Sequence, residues 1–302
     1  MDARGGRPAH PPRRTPPGGG PVRLPPALAR TAARLRPALP PALVRTTVEV
    51  ASLVAAAPLG VLPGFRRVLV VAPHPDDETI GCGGTLARLA DGGAHVEVVV
   101  ATDGEATIGS PHPPAETARR RRGEAVAACR ILGTGDPRFL GLPDGRVADH
   151  LDELARGLAT VLADVDAEVV FVPWALERHP DHRAVIAALA RVSPHPAELW
   201  GYEAHTPLHP THLVDLAPAD VDRKRSALAV HATADLAFSL EATLALNRWR
   251  SLGTAAGDGH AEAFHATPWD ALPRLAALGD RAWARRDHGA RPAGRRPRRR
   301  LP

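Results

Sequence analysis

A chain of 302 residues, 44% of them hydrophobic, has the length for one large domain or two small ones and enough apolar material for a sizeable core. Its pI near 10.3 would suit a polyanion partner, but the charge is segregated. Residues 1–65 carry net +7 and residues 281–302 net +8, which leaves 66–280 at −10, so any attraction to nucleic acid is confined to the basic tails. Two cysteines, Cys82 and Cys129, exclude a disulfide framework and a zinc–thiolate set, and a reducing, cytoplasmic setting is expected. No charged-then-apolar leader opens the chain. The apolar stretch 48–62 contains Glu49 and Pro58 and falls short of the ~20 residues a membrane span takes.

The first 25 residues are mostly Pro, Gly and Arg and offer little to bury, so disorder is expected there. Residues 26–62 alternate Ala/Leu/Arg-rich pieces with proline pairs, a pattern for two short helices. The organisation expected is a Pro/Arg-rich extension over 1–64, a domain over 65–268, and a basic, largely disordered tail over 269–302. Within the domain, strand-like and helix-like segments alternate. Strand 67–72 leads through an acidic loop to a helix over about 79–91, ended by Gly92-Gly93. Strand 96–101 follows, then helix 115–132, a short strand at 138–140 and helix 149–162. Strand 169–172 leads through a long loop to helix 183–190. Strands at 198–203 and 212–216 and helices at 218–231 and 238–252 complete the expected elements. This alternation of near-continuous apolar strands with helices predicts an α/β fold: a Rossmann-like, doubly wound, mostly parallel sheet with helices on both faces.

Two clusters carry chemistry. Pro73-His74-Pro75-Asp76-Asp77-Glu78 follows the first strand and His179-Pro180-Asp181-His182 follows the strand at 169–172. Loops after parallel strands open on one edge of a sheet, where ligands bind in such folds, so the clusters can converge. Two imidazoles and a carboxylate suit a divalent metal with an open position, as in catalytic zinc sites. His74, Asp77 and His182 supply that set, Asp76 is left to act as a general base, and His179 faces the site from the other side. The same ligand types also describe the facial triad of non-haem iron oxygenases.

These motifs resemble those of the LmbE-like, or PIG-L-type, zinc deacetylases. The likeness extends through Gly81-Cys82-Gly83-Gly84-Thr85, Thr102-Asp103-Gly104-Glu105, Arg121 with Glu124, Leu140-Gly141-Leu142-Pro143-Asp144 and Glu262-Ala263-Phe264. It implies zinc (with Fe²⁺ as an alternative) on His74, Asp77 and His182. It makes Asp76 the base, His179 the group that stabilises the oxyanion, and Asp181 the acid that orients its neighbour. The implied activity is hydrolysis of an N-acetyl or similar amide on a small-molecule amino-sugar glycoside. His231-Ala232-Thr233-Ala234 departs from the His-x-Ser-Gln element common in the family.

Other residues have plainer readings. Glu78 reads as a helix-start acid stabilised by the helix dipole, and Cys82 and Cys129 as packing residues. Asp103 and Glu105 read as loop-ordering acids. Arg121 and Asp144 are candidate substrate contacts, balanced against a solvated helix face and a turn acid. A non-catalytic interaction protein, using its basic tails, is the contrasting function class.

Overall fold

The computed structural model describes residues 62–193, 197–234, 237–254 and 259–287. The expected disorder over 1–25, the two short helices over 26–62 (all but Leu62) and the end of the basic tail lie outside the described residues. Five strands, β1 (Arg67–Ala72), β2 (His95–Thr102), β3 (Arg138–Leu142), β4 (Val169–Pro173) and β5 (Glu198–Tyr202), pair in parallel in the order β3-β2-β1-β4-β5. Two more, β6 (His212–Leu216) and β7 (His260–Thr267), extend the sheet antiparallel, with β7 inserted between β5 and β6. The chain winds from β1 outward to β3, then returns to β4 on the other side of β1. The switch point therefore lies between β1 and β4, in register Val68↔Val169 to Val70↔Phe171.

Side-chain alternation splits the core between the sheet's faces. Leu69, Val71, Val170 and Val172 point into one cluster, joined by Leu154 and Leu158 of helix α3 (Leu151–Val165) and by Val185 and Ile186 of α4 (Pro180–Leu189). Val68, Val70, Val169 and Phe171 point into the other. There they meet Leu86 of α1 (Asp77–Asp91), Cys129 of α2 (Pro114–Leu132) and Val221 of α5 (Pro218–Ala229). Both faces are covered, which is why β1 and β4 read as unbroken apolar runs.

Two features differ from expectation. Residues 260–267, where no strand was expected, form β7, because the sequence His-Ala-Glu-Ala-Phe-His hides its buried register behind polar residues. Residues within the expected tail form a 3₁₀ turn (Trp269–Ala271) and helix α7 (Leu272–Asp287). Leu272 is buried in the core, and the indole N–H groups of Trp269 and Trp283 donate to the Ala197 and Leu176 carbonyls. Arginine-rich composition masks those three apolar anchors. The last helix before it, α6, spans Ala237–Ser251.

One buried ion pair ties the far strand to α1. Lys224 of α5 and Glu262 of β7 are fully buried and paired. Lys224 Nζ donates to the Ile80 carbonyl (2.9 Å), while Glu262 accepts from the Gly84 and Thr85 backbone N–H groups (3.0 and 2.7 Å). Both ends of the Ile80–Gly84 rung of α1 thus receive a charged partner from outside the helix. Gly81 lets the same helix lie against Tyr202, since a Cβ there would sit 2.1 Å from the ring. Breaking a buried pair from one side strands the remaining charge. Lys224→Met should lower the unfolding free energy by about 3–5 kcal/mol, read as a lower denaturant midpoint at unchanged m.

Candidate metal centre and active site

β1 stops at Pro73, whose carbonyl accepts both the backbone N–H and the hydroxyl of Thr102 at the end of β2 (3.1 and 3.0 Å). The next residues turn sharply into α1. Asp77 Oδ2 accepts the His74 backbone N–H (3.0 Å), closing the turn, and Asp76 adopts φ 143°, ψ −25°. A positive φ on a non-glycine residue is a strained backbone, worth roughly 1–3 kcal/mol, of the kind that gathers at functional sites. From the other side, the loop after β4 ends at His179, the N-cap of α4, whose Nδ1 accepts the Asp181 N–H (3.2 Å). Arg183 Nη1 donates to the Glu177 and Arg178 carbonyls (3.2 and 2.6 Å) and folds that loop onto its own helix.

The two motifs meet. Asp77 Oδ2 lies 3.1 Å from His74 Nδ1 and 3.2 Å from His182 Nε2. The opposite nitrogen of each ring has its own carboxylate. His74 Nε2 is 3.2 Å from both Asp144 Oδ1 and Asp181 Oδ2, and His182 Nδ1 is 3.7 Å from Glu177 Oε2. A metal-binding imidazole almost always has its second nitrogen backed in this way, which fixes the tautomer and aims the ring. Asp77 Oδ1 and both His182 nitrogens are buried without a hydrogen-bond partner. Four carboxylates crowd two imidazoles with little solvent to screen them, so this donor set fits a divalent cation. His74, His179 and His182 also bring ring nitrogens within 4.8 Å of one another, as do Asp77, His182 and His205 with their donor atoms.

Electrostatics follow from this crowding. Burial opposes ionisation of Asp77, but the adjacent His182 and His74 hold its carboxyl well below the usual range. Burial likewise works against a charged His74, yet hydrogen bonds to Asp144, Asp181 and Asp77 carry it well above its ordinary value. Asp76 moves the other way: burial pushes it up to about 6, against the pull of Arg121 and with help from Asp77. His179 falls to about 4, through burial and the neighbouring His74 and His182. With its Nδ1 taken as an acceptor, the neutral His179 ring carries its proton on Nε2.

His74, Asp76, Asp77, His179, Asp181 and His182 are all brought to this one edge, and three of the expected details change. The Asp181 carboxylate reaches His74 of the other motif and the backbone N–H groups of Gly145 and Val147 (2.7 and 3.2 Å), so the ring it touches belongs to the first motif. Arg121 is buried, not on a solvated helix face. Its Nη2 donates to Asp76 Oδ2 (2.8 Å) and the Pro75 carbonyl (2.7 Å), and its Nη1 to Thr107 Oγ1 (2.8 Å). Asp144 is already engaged by His74 and the Ala106 N–H (2.9 Å). Both candidate substrate contacts thus have protein partners.

Glu78 sits in the first turn of α1, as a helix-start acid should, but it is fully buried, and burial raises it to about 7. The unassigned His231 is buried 4.0 Å from it. Glu177 and His205 escaped the sequence reading. Glu177 offered only one signal, an acid two residues before the second motif, and His205 none, because it comes from the connection after β5.

Fold and site together define a Rossmann-like α/β protein with a His/Asp cluster that could hold a metal ion at the carboxyl edge of its sheet. Residues 69–193 match the PIG-L family, described as GlcNAc-PI de-N-acetylase. A 1D-myo-inositol 2-acetamido-2-deoxy-alpha-D-glucopyranoside deacetylase of Kineococcus radiotolerans is 35% identical over 161 residues, 42% of this chain and 44% of that protein. The chain spans about half the length of the curated relatives it matches. Among solved structures, the conserved protein TT1542 of Thermus thermophilus is 34% identical with a TM-score of 0.56, covering 66% of this chain and 94% of that one. The N,N'-diacetylchitobiose deacetylase of Pyrococcus horikoshii is 26% identical with a TM-score of 0.58, covering 68% and 85%. The chain belongs to the PIG-L, or LmbE-like, family. Among the described residues, no helix is long and apolar enough to cross a membrane.

The purified chain should take up a divalent ion. In chelator competition, Glu177→Gln, which weakens the backing of His182, should lower metal affinity about 10- to 100-fold, and Asp77→Ala should lower it further.

Proposed function

We propose that the protein is a metal-dependent amide hydrolase that removes an N-acetyl or similar N-acyl group from an amino-sugar substrate, with zinc as its working ion. The observation that carries this is the meeting of both motif histidines on one Asp77 oxygen, beside a buried carboxylate, Asp76, that is not needed as a ligand. The names of the curated relatives supply the substrate class: the glucopyranoside and diacetylchitobiose deacetylases act on N-acetylglucosamine-containing glycosides. Two imidazoles and one carboxylate are a catalytic zinc set, and Fe²⁺ is the competing occupant.

His74, Asp77 and His182 would hold the ion, which supplies Lewis acidity toward a carbonyl and a water when bound. Asp76 takes the proton that the attacking water loses as its oxygen bonds to the amide carbon. Arg121 keeps that carboxylate aimed while burial makes it basic enough to accept a proton near neutrality. His179, carrying its proton on Nε2, offers an N–H to the oxygen that gains charge. When the C–N bond breaks, Asp76 returns its proton to the departing nitrogen. The products are a carboxylate and the free amine. Asp181 acts through His74, keeping the ring's other nitrogen facing Asp77.

Asp76→Ala should lower kcat for acetate release from N-acetylglucosaminyl substrates by about 10²- to 10⁴-fold, with metal content unchanged. Undiminished release would remove Asp76 as the base. The same assay, run after reconstitution with Zn²⁺ or Fe²⁺ separately and with oxygen uptake followed, should show hydrolysis with zinc and no oxygen consumption with either ion.

A further inference from the structure

The centre has a histidine that neither motif supplies. His205 comes from the connection between β5 and β6 and is exposed at the rim of the site. One donor nitrogen of its ring lies within 4.8 Å of donor atoms of both Asp77 and His182. Ring to ring, it stands 5.2 Å from His182 and 6.2 Å from His179. Among the described residues, no hydrogen bond or ion pair engages the His205 imidazole. Asp77 Oδ1 and both His182 nitrogens are likewise without a hydrogen-bond partner, and these are buried. Buried polar atoms left unpaired in this way call for a water or an ion. Three metal-ligating side chains thus converge with no hydrogen bond joining His205 to the other two.

The backbone at His205 is pinned while its side chain is free. Glu177 Oε2 accepts the His205 N–H (2.7 Å), and the same oxygen faces His182 Nδ1 at 3.7 Å. One carboxylate oxygen therefore stands between the His182 ring and the His205 main chain. The next residue, Thr206, accepts the Arg178 N–H on its Oγ1 (3.2 Å). The connection is thus fastened to the loop that delivers His179 and His182. It is fastened on its other side as well. Glu203, just after β5, pairs with Arg250 of α6, and both are buried. Arg250 Nη2 also donates to the Leu208 carbonyl (2.7 Å), and the Leu208 N–H donates to Glu203 Oε1 (2.8 Å). Moving His205 away from the centre requires breaking contacts of a buried ion pair. Turning its ring requires only rotation about two side-chain torsions.

We infer that His205 is a further protein ligand of the ion held by His74, Asp77 and His182, which makes the centre a three-histidine, one-aspartate site. This rests on the metal-centre part of the reading above and is independent of the substrate. Imidazole nitrogen suits zinc and iron, whereas magnesium and calcium prefer oxygen, so a third imidazole turns the donor set further from the latter pair. Zinc accommodates a fifth group, so this set still leaves a place for water beside Asp76. The added ligand also has a mechanical consequence. It comes from a segment outside both motifs, so the ion ties the connection between β5 and β6 to the edge formed by β1 and β4.

The test needs no substrate. The full chain is stripped of metal and titrated with Zn²⁺ against a chromophoric chelator, as the wild type and as His205→Ala, His205→Phe and Asp77→Ala. Phenylalanine keeps a ring at the rim and removes its nitrogens. Both His205 variants should bind Zn²⁺ about tenfold or more weakly, since even groups that merely back a ligand act on that scale. Their metal-free forms should melt where the metal-free wild type does, and the rise in Tm on adding Zn²⁺ should be smaller in both. In the wild type, Zn²⁺ should slow amide hydrogen exchange over residues 204–208; in His205→Phe it should not. If Asp77→Ala alone weakens binding and the His205 variants match the wild type, His205 is no ligand and the metal centre stands. If the His205 variants already melt lower without metal, by as much as they do with it, the residue serves packing and the inference is overturned. If the wild type takes up no ion, the metal centre falls and His205 falls with it.

Discussion

A single carboxylate oxygen, Asp77 Oδ2, closes the turn after β1 through the His74 N–H and faces a nitrogen of both His74 and His182. Those rings arrive from loops that are a hundred residues apart in sequence and adjacent in space, because β1 and β4 pair at the point where the winding of the sheet reverses. Asp77 Oδ2 is the atom that both rings share once strand pairing has brought their loops together. The outer nitrogen of His74 is held by Asp144 and Asp181, and that of His182 faces Glu177 at 3.7 Å. The carboxylates outnumber the imidazoles, and it is this imbalance, in a buried setting, that calls for a cation.

The neighbouring carboxylate lives under different rules. Asp76 and Asp77 are adjacent in sequence and equally buried, yet one is pushed up to about 6 and the other is held far down. The difference is geometric. Asp77 touches two imidazoles, whereas Asp76, swung away by its positive φ, meets the guanidinium of Arg121. The strained backbone at Asp76 goes with a division of labour: Asp77 meets the imidazoles and Asp76 meets Arg121.

Much of this could be read from the residues. Apolar runs of the right length marked β1, β2 and β4, and a histidine with acids directly after two of them marked the edge where they meet. What stayed hidden depends on burial that one-dimensional pattern does not reveal. Glu78 looks like any first-turn acid until the packing of α1 shows it sealed from water. Arg121 sits in a run of four arginines and is the one whose helical phase turns it inward. Strand β7 is buried through five consecutive residues, among them Glu262, where only the Lys224 partner makes a charge tolerable. Helix α7 was obscured by its arginines, although Trp269, Leu272 and Trp283 anchor it.

The Lys224–Glu262 pair bears on the order in which the molecule can be assembled. Its contacts with the Gly84 and Thr85 N–H groups span 178 and 177 residues. Contacts of such separation close late, since the entropy of the loop must be overcome before they contribute. During synthesis, the motif that begins at His74 leaves the ribosome long before the strand that steadies the helix behind it. Until β7 inserts between β5 and β6, Gly84 and Thr85 lack their charged partner and Lys224 has no counter-ion. The two motifs can pair early through β1 and β4, but the site sits on a finished support only once the last strand is in place.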